Sequence, residues 1–235
     1  MKNKTIAEFV AENYKTSDVF YTYGIDFCCG GKKTLSEVCK DKNIDETLLL
    51  KDLEAISHTA EDANMASMSP LDLISHIKNV HHEYIRTHTP IILQYLEKIY
   101  RVHGSRHPEL QKVYEEFMQL SSEMEMHLYK EENILFPYII SLYKEDGEST
   151  KSMPFSTVRQ PIAMMEHEHD DAGATLHNIS NITNNLTPPS DACNTYKIAF
   201  EKLKDYEKDL HKHVHLENNI LFPNAIAKER NIIIT

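Results

Sequence analysis

The sequence predicts an all-α protein: an antiparallel four-helix bundle behind a small helical N-terminal domain. Three observations carry that prediction. The chain has 235 residues but only six glycines and no tryptophan, and it is rich in Lys, Glu, Leu, Ile and Met, which favours helix over sheet. Four segments repeat apolar residues at helical spacing, and stretches of turn formers separate them. Two of those segments share one eleven-residue stretch, HLYKEENILFP at 127–137 and HVHLENNILFP at 213–223.

Residues 1–57 read as a domain of short helices. Thr5 with Glu8, and Thr34 with Glu37, each fit a capping box, and Asp45 is placed to cap ETLLLKDLEAI. Between them lies YGIDFCCGGKK, whose paired glycines Gly30 and Gly31 mark a tight turn. Residues 58–69 are polar and weakly periodic, and they read as a linker. Residues 70–235 hold the four long segments, at about 70–102, 108–144, 157–184 and 191–229. The breaks HGSRHP, EDGESTKSMP and NLTPPS are short, which suits antiparallel neighbours.

Alternate steps of three and four test each segment for a core stripe. The second gives Val113, Phe117, Leu120, Met124, His127, Glu131, Ile134 and Tyr138. The third gives Val158, Ile162, Met165, His169, Ala172, Leu176 and Ile179, and the fourth Ala199, Leu203, Tyr206, Leu210, His213, Glu217 and Ile220. These stripes are apolar except at His and Glu. The first is less clean, with Leu71, Ser75, Lys78, His82, Ile85, Thr89, Ile92, Leu96 and Ile99, and Pro90 is expected to kink it. Pro137 and Pro223 follow each repeated Glu by six residues and either bend or end their helices.

Charge and composition narrow the function. With 36 acidic and 25 basic residues the net charge is -11, which argues against nucleic acid and anionic lipid as partners. No apolar run reaches the roughly 18 residues of a membrane span, and the opening MKNKTIAEFVAEN has no signal-peptide core. A cytoplasmic chain is expected, with its four cysteines reduced.

Fourteen histidines demand an account. A lone H-x-x-x-E is weak, since chance supplies about one in a chain so rich in both residues. Here there are two, both inside the repeat and both on the apolar stripe. Buried carboxylates are costly unless paired or bound to a cation. The i,i+4 spacing puts His127 with Glu131, and His213 with Glu217, one turn apart on one face. His169 adds an imidazole from the third helix and His82 one from the first, although His81 competes for that position. Four imidazoles and two carboxylates without thiolate suit non-haem iron, manganese or zinc. They fit two metal ions if each Glu bridges. Two ferric ions would carry more charge than two glutamates offset, so an oxo or hydroxo bridge is expected in the oxidised form. His167, His177, His211 and His215 point away from the stripe and are expected in solvent. His58, His88, His103 and His107 receive no role.

The stretches YGIDFCCGGKKTL, HLYKEENILFP, MEHEHDDAG, NNLTPP and HLENNILFP, in that order, resemble the RIC (repair of iron centres) family, the ScdA/YtfE-type di-iron proteins. The resemblance covers nearly the whole chain. It implies an ScdA-type N-terminal domain before a hemerythrin-like bundle, and a metal set of His82, His127, Glu131, His169, His213 and Glu217, settling His82 over His81. It implies two non-haem iron ions, damaged iron–sulfur proteins as partners, and repair after nitrosative or oxidative stress by donated iron. Nitric-oxide reduction, or oxygen or nitric-oxide sensing, at the same centre are the alternatives. The sequence leaves the oligomeric state open, a homodimer included. Cys28 and Cys29 are candidates for thiol function: neighbours cannot close a disulfide without strain, and the glycine turn is expected to lower a thiolate pKa. Cys39 and Cys193 read as structural.

Overall fold

A computed structural model describes residues 4–13, 15–56, 67–144 and 155–234. The expected linker falls outside the described residues as far as 66, as do His58 and the break at 145–154. The helices are α1 Ile6–Glu12, α2 Thr16–Thr22, α3 Leu35–Lys42, α4 Glu46–Glu54, α5 Pro70–His76, α6 Glu83–His103 and α7 Glu109–Lys130. They continue as α8 Phe136–Leu142, α9 Arg159–Ile182, α10 Asn194–Leu216 and α11 Phe222–Ile234. Among the described residues the one β pairing is an isolated antiparallel bridge between Thr5 and Thr34. No described helix is long and apolar enough to cross a membrane.

The chain divides into two compact units, Met1–Ile77 with Tyr138–Gln160 and His211–Thr235, and Lys78–Pro137 with Pro161–Leu210. In the first unit, α1 to α4 close around Ile6, Val10, Phe20, Leu35 and Leu49, all fully buried. The caps read from the sequence are present. Thr5 and Thr34 each accept from the backbone three residues on while Glu8 and Glu37 reach back, and Asp45 accepts from Thr47 and Leu48. In the same unit Glu229 is buried and accepts from the Tyr138 hydroxyl at 2.8 Å, Thr157 Oγ1 at 2.6 Å and the Val158 amide at 2.7 Å. It thereby takes up a backbone donor at the start of α9.

The second unit is a four-helix bundle whose pairing follows from its contacts. Along α6 and α10, His103 meets Tyr196 and His81 meets Asp209, so these helices run antiparallel. Along α7 and α9, Glu116 accepts from Asn178 and His127 meets His169, again antiparallel. Tyr100 stacks on Tyr114 across the short turn from α6 to α7, and Phe117 packs edge-on to Tyr206 between α7 and α10.

Three of the four long segments are interrupted by a π-helical turn, at Ile77–His82, Glu131–Leu135 and Glu217–Leu221. Each adds one residue to a turn and moves the buried stripe on by one. Before His82 the buried residues are Leu73, Ile74, Ile77 and His81, whereas Leu71 and Ser75 are exposed. That shift explains why the first stripe looked irregular. After Glu131 the core takes Leu135, Phe136, Ile139 and Leu142 together with the expected Tyr138, and Ile134 is only half-buried. The repeated prolines neither end the helices nor sit within an ordinary turn. Each is the second residue of the helix after a π turn, and the amide before it bonds five residues back, Phe136 to Glu131 and Phe222 to Glu217. Proline lacks an N–H and its ring crowds the carbonyl four residues earlier, so a turn one residue wider relieves both faults.

Candidate metal centre

In the second unit four predicted residues converge. His82, His127, Glu131 and His169 are each at most 2% exposed. Glu131 Oε2 lies 3.3 Å from His82 Nε2, and its Oε1 lies 3.3 Å from His127 Nε2 and 4.0 Å from His169 Nε2. A carboxylate withdrawn from water needs compensating positive charge, and three imidazole nitrogens aimed at it are the donor set of a cation site.

Hydrogen bonds set which nitrogen each imidazole presents. His82 Nδ1 donates to Glu132 Oε1 at 2.7 Å, and Arg86 donates to the same oxygen at 2.8 Å. Burial works to raise the Glu132 pKa, but the bonds from His82 and Arg86 outweigh it and bring it below the ordinary value. His127 Nδ1 donates to Glu168 Oε2 at 2.9 Å, and Lys130 donates to Glu168 Oε1. The His127 bond, against burial and with help from Lys130, holds Glu168 at about 2. Ionised carboxylates accept only, so each Nδ1 carries the proton and each Nε2 of the neutral ring turns a lone pair inward. Such carboxylate–histidine pairs fix the tautomer and orientation of metal-binding imidazoles. His127 Nε2 and His169 Nε2 stand 3.0 Å apart. Two nitrogens about 2.1 Å from one ion, at right angles, would be about 3.0 Å apart. The residues present therefore fit a nitrogen- and oxygen-bound cation.

In the first unit, His213 and Glu217 are fully buried, with Nε2 to Oε1 at 3.1 Å. The i,i+4 pairing read from the repeat is thus present in both copies, at 3.3 Å and 3.1 Å. His81 is buried beside His82 but turns Nδ1 to Asp209 at 3.1 Å.

Several expectations are corrected. His215 is fully buried, not in solvent, and His211 is half-buried. The rings of Phe27 and Tyr21 lie against them, so the N-terminal domain covers a helix face that its own sequence marks as polar. Burial pushes His215 down to about 4, with a partial offset from its bond to the Phe27 carbonyl. His167 and His177 are exposed as expected. His103 is buried with Nε2 3.3 Å from Cys193 Sγ, and His107 is paired with Glu109 and Asp191. Cys193, read as structural, is exposed, whereas Cys39 is buried.

Cys28 and Cys29 are free thiols with sulfurs 3.8 Å apart, and with Asp26 they form a cluster able to hold an ion. The glycine turn does not lower the Cys28 pKa. The bond with Cys29, then burial, then the Asp26 charge push it well up. The amides of Cys28, Cys29 and Gly30 all donate to the Asp26 carboxylate, so they are withheld from sulfur.

Sequence reasoning passed over Glu132, Glu168, Arg86 and Lys130. A signal existed: Glu132 follows a candidate ligand directly, and Glu168 precedes one. An adjacent residue lies about 100 degrees around the helix, at the margin of the stripe, where a polar group reaches a ligand on the neighbouring helix.

Comparisons with known proteins agree with this geometry. Residues 73–225 match the family model described as hemerythrin HHE cation binding domain, and residues 2–57 match the ScdA N-terminal type, described as a domain of unknown function. The chain is 33% identical over 228 residues to the iron–sulfur cluster repair protein YtfE of Enterobacter sp. (strain 638), covering 97% of this chain and 99% of that protein. It is 33% identical over 229 residues to the protein of that name from Escherichia coli O8 (strain IAI1), with the same coverage. The protein of that name from Escherichia fergusonii is equally similar, 33% over 229 residues.

Proposed function

The chain belongs to the hemerythrin HHE cation-binding family and, within it, to the YtfE-type iron–sulfur cluster repair proteins, and from that premise we propose that it repairs damaged iron–sulfur clusters by donating iron held at its His–Glu centre. The observation that carries the proposal is Glu131, fully buried and faced by three imidazoles whose outer nitrogens are tied down by carboxylates. His82, His127, Glu131, His169, His213 and Glu217 are the residues that would hold the iron, and iron there would supply both the cargo and the redox chemistry. The matched family region contains all six.

The protein side of the reaction is positional. Glu132 and Glu168 keep the Nε2 lone pairs of His82 and His127 inward, so these two imidazoles are oriented before iron arrives. Glu131 and Glu217 are the two carboxylates among those six residues, and so small an anionic set would hold a ferrous ion less firmly than a ferric one. The recipients are iron–sulfur proteins damaged by nitrosative or oxidative stress in the cytoplasm.

The test uses Glu131→Leu and His213→Ala. Each lowers bound iron and abolishes recovery of a damaged iron–sulfur enzyme in a purified mixture. Full recovery with an iron-free variant would refute donation. Steady conversion of nitric oxide without loss of iron, or reversible gas binding alone, would replace it with a reductase or a sensor.

A further inference from the structure

The matched N-terminal domain has no assigned task, yet its backbone grips the two residues that flank Glu217. His215 stands two positions before Glu217 and Asn219 two after. His215 Nδ1 donates to the Phe27 carbonyl at 3.3 Å, and Asn219 Nδ2 donates to the Cys28 carbonyl at 3.0 Å. Around these bonds the Phe27 ring packs edge-on to His211 and His215, with centroids at 5.8 and 6.1 Å, and Lys212 pairs with Asp18 at 3.3 Å. Helix α1 packs on the Glu217–Leu221 turn itself.

The gripping element is stiff. Asp26 accepts three successive amides at 2.9 to 3.0 Å, which fixes the 26–30 turn. Gly31 then ties the turn to α1, because its carbonyl accepts the Ala7 amide at 2.8 Å. A Cβ at position 31 would stand 2.5 Å from the Phe27 carbonyl and 3.0 Å from Ala7 Cβ, so only glycine lets the turn close this tightly.

The gripped element is the weaker one. A π turn has wider, poorer hydrogen bonding than the helix on either side. This turn also begins with a buried carboxylate, which has no favourable place in a core without a cation. Its shape therefore depends on lateral support, and the residues giving that support bond to the Phe27–Cys28 backbone.

We propose that the N-terminal domain is a clamp on the Glu217 turn, and that the hold of His215 and Asn219 on the Phe27–Cys28 backbone governs how fast iron leaves. His215 and Asn219 are positioning residues. They touch no iron, and they act by keeping the Glu217 carboxylate at its place. The proposal rests on the donor reading above and adds the control of release to it.

The experiment measures capture of iron by a ferrous chelator after reduction of the full-length, iron-loaded protein. Gly31→Ala displaces the turn from the opposite domain, without altering any ligand or any group bonded to one. Asn219→Ala removes one grip directly. Tyr23→Phe is the control, since it removes a bond to Asp52 within the same domain and leaves the turn in place. Alkylation of Cys28, which is 5% exposed, reports independently that the turn has moved.

The expected result is release roughly three- to tenfold faster in Gly31→Ala and Asn219→Ala, the factor that one or two hydrogen bonds supply. Iron content before reduction and helix content stay unchanged, and Tyr23→Phe releases at the parent rate. Unchanged release from Gly31→Ala with Cys28 newly alkylated overturns the clamp. So does unchanged release from Asn219→Ala. Failure of the donor reading looks different: the chelator captures iron from the parent, but a damaged iron–sulfur enzyme does not recover.

Discussion

Removing the carboxylate behind His82 separates the orientation of a metal ligand from its identity. Glu132 is not a ligand in this scheme. Its Oε1 accepts from His82 Nδ1 at 2.7 Å and from Arg86 at 2.8 Å, and its side chain is 17% exposed. In Glu132→Ala the imidazole of His82, itself fully buried, loses the acceptor that selects its tautomer. Partners of this kind contribute about ten- to a hundredfold in metal affinity, or about 1.4 to 2.7 kcal/mol. Partial access of water to the vacated oxygen position places the expected loss in the lower half of that range. Without iron, the orphaned buried donor costs about 1 kcal/mol of folding stability for the same reason. Glu132→Gln keeps a carbonyl oxygen to accept the Nδ1 proton but loses the charge, so it retains most of the affinity. Arg86→Ala, at a side chain 46% exposed, changes it little. Chelator competition gives the iron affinity, and urea unfolding of the iron-free protein gives the stability. An alanine variant that holds iron as tightly as the parent would refute the orientation argument. Equal losses in the Ala and Gln variants would show that charge, not tautomer, is what Glu132 supplies.

Glu229→Ala strands the buried Tyr138 hydroxyl and Val158 amide, so it is expected to cost about 3 to 5 kcal/mol in urea unfolding. A loss under about 1 kcal/mol would mean that water or a shifted side chain replaces the carboxylate. Alkylation at neutral pH followed by peptide mass analysis is expected to label Cys193 first. It is exposed, and backbone amides of Tyr196 and Thr195 lower its pKa against the effect of desolvation. Cys28 and Cys39 are buried with raised pKa values and are expected to resist. Labelling of Cys28 in the folded parent as fast as Cys193 would contradict that order.

The sequence by itself determined the helical class, the caps at Thr5, Thr34 and Asp45, and the burial of the His and Glu residues on the apolar stripes. These are local or periodic features. A cap depends on three or four consecutive residues, and a core stripe recurs on a 3.6-residue period, so both are written in short windows of chain. His and Glu on an apolar stripe stood out because burying them is costly unless something compensates. The third helix was legible throughout: every stripe residue from Val158 to Ile179 is buried. The fourth stripe, from Ala199 to Ile220, is likewise buried at every position, whereas the first fails before His82 and the second at Ile134, where the helix changes pitch. A period test assumes a constant turn, and the π turns at Ile77–His82, Glu131–Leu135 and Glu217–Leu221 each insert one residue. Only the tertiary structure decided which residues support the ligands. Glu132 reaches His82 from 50 positions away, and Glu168 reaches His127 from 41. It also decided the fate of His215, polar by its helix and buried by a domain 188 residues earlier in the chain. Nothing local distinguishes a polar residue facing solvent from one facing a distant carbonyl, because the difference lies in what another part of the chain brings to it.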